Sequence, residues 1–394
     1  MAELVFWVLS SDSSNAVLEA LLAEFRARMG IRVQLQYIPW ESAWNEMVKV
    51  AIYRNGPDVS EIGSTWMGDL VGMNGIRPFT ALDLRALGPV QDYIPSLWQS
   101  AGLAGSGDIW GIPWMVDARL LFYRRDLLAQ AGIDEAEAFT SFTALEKTLH
   151  RLQQADVEIP WIIPTRRSWI TLHNLAVWVW GHGGDFVSAD GKRLLFNTPE
   201  ARAGFQEYFG LGRFMPPQVR DYAIIEADDC FSHGQAAVTL SGAWLWDNPH
   251  LTPELRANIG VTLPPGVPYV GGSHLVLWEH SRNVRDALKL IRFLTEARVM
   301  QRYSPQAGKL PARLSALSET SVPFHASLNS LVRGLVDSRS FHSVPLWGMI
   351  EDRLATTLRD IWSDVLQSPE AEFVAIIDRH LQILTRSLEL AIQG

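Results

Sequence analysis

Two side chains that can carry charge, Asp117 and Arg119, stand inside the run Met115 to Tyr123, which is otherwise mostly apolar and strand-like. Burying them unpaired is costly, so each must face the other, solvent or a ligand. Elsewhere aromatic, hydroxyl and acidic groups cluster beside turns, in Pro39-Trp40-Glu41, Ser64-Thr65-Trp66 and Ser241-Gly-Ala-Trp244. Sixteen tryptophans are many for 394 residues. Some must pack cores, but an indole at a turn offers a flat apolar face to a sugar ring, and an ionised carboxylate is a strong acceptor for sugar hydroxyls. Trp169, which follows Arg166-Arg167, is another indole of this kind.

Bond-making chemistry has less support. Glycoside hydrolysis needs two carboxylates at a set separation across a sugar, for which Glu41 and Asp117 are nominees, yet nothing marks either as an acid. No Gly-x-Ser-x-Gly, Walker loop, dinucleotide fingerprint or His-Glu-x-x-His occurs. The ten histidines are scattered, and Asp228-Asp229-Cys230 with His233 reads as a helix start or surface cluster rather than a metal site. No cofactor is implied. With 34 basic against 43 acidic residues the net charge is −9, and no basic block offers a nucleic-acid or anionic membrane surface. The single Cys230 forms no internal disulfide, so sulfur does not decide the compartment.

The elements that must position these groups follow from periodicity. Leu4–Leu9 is a strand. Val17, Leu18, Leu21, Leu22, Phe25 and Met29 recur at helical spacing and stop at Gly30. Ile31–Ile38 alternates, Trp40–Ile52 is helical, and Gly56-Pro-Asp58 leads into the strand Val59–Gly63. That βαβαβ order implies a parallel sheet with ligand loops at the C-terminal strand edges: Ser10–Ser14, Pro39–Glu41 and Ser64–Trp66. Later, Thr143-x-x-Glu146 matches a capping box, Trp169–Trp180 is an aromatic-rich helix whose Trp178 and Trp180 read as packing, and Asn197-Thr-Pro-Glu200 opens a helix.

A chain of this length is expected to form two domains. Gly111 and Pro113 mark Gly111–Arg125 as a crossing between them, and the Pro- and Gly-rich Leu263–His274 and Gly308–Arg313 are a second and a third. The expected lobes are residues 1–115 with 271–313, and 116–270 with 314–394. No leader precedes the first strand, so either the protein is cytoplasmic or a leader has been removed; a lipid anchor before Ala2 stays open.

The order Phe6-Trp7, Gly56-Pro-Asp-Val59, Ser64-Thr-Trp66, Gly111-Ile-Pro113 with Tyr123-Arg124, Gly183-Gly-Asp185, Gly234-Gln-Ala-Ala-Val238 with Ser241-Gly-Ala-Trp244, and Gly271-Gly-Ser273 resembles the extracellular solute-binding proteins of sugar ABC transporters, the maltose-binding family. The resemblance spans nearly the whole chain. It implies an α/β fold of two lobes joined by three crossovers (a type II periplasmic-binding fold), closing on a mono- or oligosaccharide and presenting it to a membrane permease, as a periplasmic or extracellular monomer. It also implies ligand contacts at Ser11 and Asp12, at Ser64, Thr65 and Trp66, at Asp117 and at Trp244. The chain departs at Gly272-Ser273-His274, where a histidine replaces an amide, and Trp347 is the aromatic candidate of the C-terminal stretch. Trp40, Glu41 and Trp169 complete the candidate set. A charged solute such as a glycerophosphodiester or sulfonated sugar is the nearer rival, and would draw on Arg119, Arg166 or Arg313.

Overall fold

The computed structural model describes residues 3–9, 15–319 and 328–393. The chain divides into two compact units. One comprises residues 1–118, 270–322 and 335–348; the other comprises 119–269, 323–334 and 349–394.

The first unit is built on six strands: β1 (Glu3–Leu9), β2 (Arg32–Ile38), β3 (Val59–Gly63), β4 (Gly111–Ala118), β9 (Val270–Leu277) and β10 (Leu310–Pro311). Their order is β10-β4-β9-β3-β1-β2. As the βαβαβ pattern requires, β1 pairs in parallel with β2 and β3. The parallel character ends there, because β9 runs antiparallel to both β3 and β4.

Helix α1 (Asn15–Met29) buries Leu18, Leu21, Leu22 and Phe25, and Gly30 ends it at φ 69°. Met29, read as part of the apolar face, is exposed at the helix end. Helix α2 (Trp40–Tyr53) buries Ala43, Met47, Val50 and Ala51. These residues join Leu9, Ile38, Ile62 and Trp278 in one core.

The second unit has the sheet β6-β7-β5-β8, formed by β5 (Leu120–Arg124), β6 (Ile159–Ile162), β7 (Ala236–Ser241) and β8 (Ile259–Thr262). Its central helix Trp169–Gly181 is buried from Ile170 to Trp180. Trp178 lies 5.1 Å from Tyr208 and Trp180 stacks on Tyr269 at 6.1 Å, so both indoles pack the interior. The helix Phe142–Gln154 starts two residues earlier than the capping-box pattern suggests. Ser141, not Thr143, is its cap, accepting from the Ala144 N–H at 3.1 Å.

The run around Asp117 and Arg119 is not one strand. It breaks between Ala118 and Leu120, and Asp117 belongs to the first unit, Arg119 to the second. Gly308–Arg313, read as a third crossing, lies inside the first unit. There Leu310 and Pro311 pair with Val116 and Met115, and the buried Arg313 donates to Asp92 at 3.1 Å and to the Leu87 carbonyl at 2.6 Å. Residues 335–348, expected in the second lobe, also group with the first unit. Asp69 holds that segment by accepting from the Leu346 and Gly348 N–H groups, each at 2.9 Å.

Candidate functional site

In the first unit the indoles gather at the ends of β2 and β3. Pro39 takes extended geometry before α2, Trp40 is the first helical residue, and Trp44, four residues later, falls on the same helix face. Beyond β3 the chain enters a tight turn, Ser64–Trp66. Gly63 lets the indole fold back over the strand end, since a Cβ at that position would lie 3.3 Å from the Trp66 ring. Trp66 consequently sits between the other two. Its ring centroid is 5.7 Å from that of Trp40, at 62°, and 5.7 Å from that of Trp44, at 53°. With Trp7 and Trp110 these are five half-buried indoles packed against one core.

Polar groups accompany them. Glu41 is exposed in the first turn of α2, Thr65 is half-buried and Ser64 is buried. Glu61, on β3, is fully buried and accepts from the Leu9 N–H at 2.8 Å. Burial pushes its carboxyl up to about 7, against the opposing pull of the Ser273 hydroxyl, the Leu9 amide and the Lys309 charge. Asp117 is half-buried and pairs with Lys309 at 3.6 Å.

In the second unit Trp244 is half-buried in the turn after β7. Its indole N–H donates to Asp228 Oδ2 at 2.9 Å, and the Arg119 guanidinium lies over the ring, 4.6 Å from the centroid. Gly242 makes the pose possible. A Cβ there would stand 2.1 Å from Cζ3 and 2.4 Å from Cε3 and Cη2, which places it over the ring face. Burial raises the Asp228 carboxyl to about 6, opposed by Trp244, Ser241 and Arg119. The neighbouring Asp229 accepts from Asn248 at 2.8 Å and His233 stacks on His250 at 4.1 Å, so the helix Ile224–Ser232 holds the Trp244 loop at three points. The Asp228–His233 cluster is therefore a clamp on this loop and neither a helix start nor a loose surface group. Trp169 is 49% exposed at the first position of its helix.

Several expected contacts fall elsewhere. Ser11 and Asp12 lie outside the described residues. His274 is fully buried, with Nε2 3.1 Å from the Leu97 carbonyl and 3.3 Å from Ser100 Oγ, and burial lowers it to about 4; it is a core histidine. Gly272 is dictated by close approach, since at φ 139° a Cβ would meet the Met115 carbonyl oxygen at 2.0 Å. Ser273 is buried beside Glu61. Trp347 is also buried, tilted against Phe341 at 4.7 Å, and serves the core of the first unit.

Sequence reading missed Trp44, Glu61, Lys309 and Asp228 as members of these groups. Trp44 was signalled by its i, i+4 spacing from Trp40. Glu61 was signalled as the one charged residue of the short strand Val59–Gly63. Lys309 and Asp228 carried no local signal, because their roles depend on partners distant in the chain. Among the described residues no group of three or more His, Cys, Asp and Glu could hold a metal ion. A shallow groove between α1 and β2, lined by Glu19, Leu22, Arg26 and Arg32, contains none of the candidates.

The profile of the family described as bacterial extracellular solute-binding protein matches residues 10–301. The chain belongs to that family. Among curated proteins it is 22% identical over 364 residues to the diacetylchitobiose-binding protein DasA of Streptomyces coelicolor, covering 89% of this chain and 82% of the relative. It is 21% identical over 344 residues to a putative binding protein of Brucella abortus, covering 84% and 81%. Among solved structures, the sugar-binding protein MalE of Xanthomonas citri superposes with a TM-score of 0.84 at 21% identity over all of both chains. A solute-binding protein of Thermotoga lettingae bound with α-D-tagatose gives 0.82 at 17% identity, again over both whole chains. The family is one of binding proteins, and this solute-binding protein has the two-unit α/β architecture of its structural neighbours. No helix among its described residues is long and apolar enough to cross a membrane.

Proposed function

We propose that this protein is the extracytoplasmic sugar-binding component of an ABC importer, acting by ligand-biased closure of its two units and without a covalent step. The observation that carries the proposal is the array Trp40–Trp66–Trp44, three half-buried indoles at the strand ends of one unit. Flat apolar faces beside an exposed carboxylate, Glu41, suit pyranose rings, which are apolar on their faces and ringed by hydroxyls. The named sugars of several relatives support the same class.

The geometry gives the charged-solute reading no free guanidinium among its nominees. Arg166 pairs with Asp221 and Glu226, Arg313 is buried with Asp92, and Arg119 lies over Trp244 beside Asp228. On this proposal the hinge runs through the passages at 118/119, 269/270 and 348/349, and the ligand touches Trp40, Glu41, Thr65, Trp66 and Asp117 on one unit and Trp169 and Trp244 on the other. One aromatic contact contributes only about 0.5 to 1.5 kcal/mol, whereas inverting an open:closed ratio of 99:1 takes about 5.5 kcal/mol. Several contacts on both units are therefore required. The permease partner, periplasmic or extracellular location and monomeric state belong to the same proposal. The acidic balance, −9, speaks against a nucleic-acid partner.

A thermal-shift screen over neutral sugars tests the proposal, since a ligand that binds only the folded state stabilises it by mass action. A saturable upward shift with at least one neutral sugar is expected, and chromogenic glycosides should not turn over. A shift confined to anionic solutes and weakened by salt would overturn the sugar assignment.

A further inference from the structure

The three passages assigned to the hinge meet the second unit at Arg119, where its first stretch begins, at Tyr269, where that stretch ends, and at Met349, where its last stretch begins. Inside that unit their roots converge. The Arg119 N–H donates to the Tyr269 carbonyl at 3.4 Å. The buried Tyr269 ring stacks on His173 at 4.5 Å and 18°, and on Trp180 at 6.1 Å and 15°. His173 and Trp180 stand two turns apart on the helix Trp169–Gly181, about 10.5 Å along its axis, so the tyrosine ring fills the gap between them. The third root reaches the same imidazole. Glu351, just past Met349 on the helix Trp347–Val365, is 12% exposed and sets Oε1 3.5 Å from His173 Nε2. A carboxylate so nearly buried needs a polar neighbour, and the imidazole supplies one. Arg119 extends the cluster toward the proposed ligand contact Trp244, because its guanidinium lies over that ring, 4.6 Å from the centroid.

We infer that His173 is a positioning residue for ligand capture. By touching both Tyr269 and Glu351 it joins the second-unit roots of the hinge passages, with Arg119 and Trp244, in one rigid block, and bending on closure is confined to the passages themselves. A free protein whose roots are held in this way has less conformational freedom to lose when a ligand draws the units together, and it binds more tightly. This role rests on the hinge-closure reading above and requires no contact between His173 and the ligand.

The test compares, in the intact protein, His173→Ala with Phe209→Leu, which opens space beside Trp362 instead. Without ligand, amide hydrogen exchange should quicken in His173→Ala at 119–121, 266–270 and 349–353 together, and at none of them in Phe209→Leu. Titrated with the best neutral sugar from the screen, His173→Ala should bind about fivefold or more weakly. Phe209→Leu should stay within about twofold of the unmodified protein, as a change outside the cluster does. Tyr269→Leu, which empties the same gap between His173 and Trp180, should reproduce both the exchange pattern and the weaker binding. The double variant His173→Phe with Glu351→Met keeps a ring against Tyr269 and removes both polar partners, and should recover most of both losses. Exchange that quickens at one root alone, or sugar affinity in His173→Ala equal to that in Phe209→Leu, would overturn the inference while leaving sugar binding intact. Failure of every saccharide to bind the unmodified protein would instead remove the sugar-binding reading, and the exchange pattern would still decide whether His173 joins the three roots.

Discussion

Glu61 and His274 lie on the adjacent antiparallel strands β3 and β9, one residue out of register, and burial drives their pKa values in opposite directions, Glu61 from 4.5 up to about 7 and His274 from 6.5 down to about 4. Each group is kept neutral by the same absence of water. Their linkage to folding has opposite sign. The contribution of Glu61 is fully present below pH 4.5 and is lost as pH rises through about 7; that of His274 is fully present above pH 6.5 and is lost as pH falls through about 4. Each amounts to roughly 3 kcal/mol at about 1.4 kcal/mol per pKa unit.

Over the shared window, from about pH 4.5 to 6.5, one contribution shrinks as the other grows, so their pH dependences nearly cancel. Glu61→Gln should therefore leave a protein whose stability climbs with pH across that window. His274→Gln should leave one whose stability declines. Urea unfolding of both variants and of the unmodified protein at pH 5, 6 and 7 checks the signs; parallel profiles for all three would contradict the burial argument.

Gly242→Ala should displace the Trp244 ring, because the added Cβ would stand 2.1 Å from Cζ3 and the ring is held from the other partners by Asp228 and Arg119. The steric cost is about 1 to 3 kcal/mol, and sugar affinity should fall with it. Trp244→Ala should abolish the ligand-induced thermal shift. An undiminished shift would remove Trp244 from the site.

Asp69→Ala should cost about 1 to 3 kcal/mol in urea unfolding, since it leaves the Leu346 and Gly348 N–H groups without their acceptor. Gly68→Ala should cost at least as much. Its Cβ would stand 2.2 Å from the Val344 carbonyl oxygen, on the same segment.

Much of this was legible in the chain. The strand Val59–Gly63 was predicted at its observed bounds, because the breakers Gly56-Pro-Asp58 mark its start. The indoles at turns, Trp40 and Trp66, were visible by type and place. Long-range pairing was not. Nothing near Gly308 tells that Leu310 and Pro311 complete a sheet with β4, and that pairing decides where residues 308–313 belong. His274 and Trp347 resembled site residues because polar and aromatic side chains near turns do so in either role. Only the packing of Leu97, Ser100 and Phe341 around them separates core from surface.

Ligand capture by this protein is proposed to be an encounter of indoles with a neutral saccharide, and intrinsic tryptophan fluorescence measures that encounter directly. Titration of the protein with the best neutral sugar at low and at high salt should give a saturable change in emission with the same midpoint in both, and Trp66→Ala should shift that midpoint to higher concentration. Emission that responds to no saccharide, or a midpoint that moves to higher concentration with added salt, would contradict it.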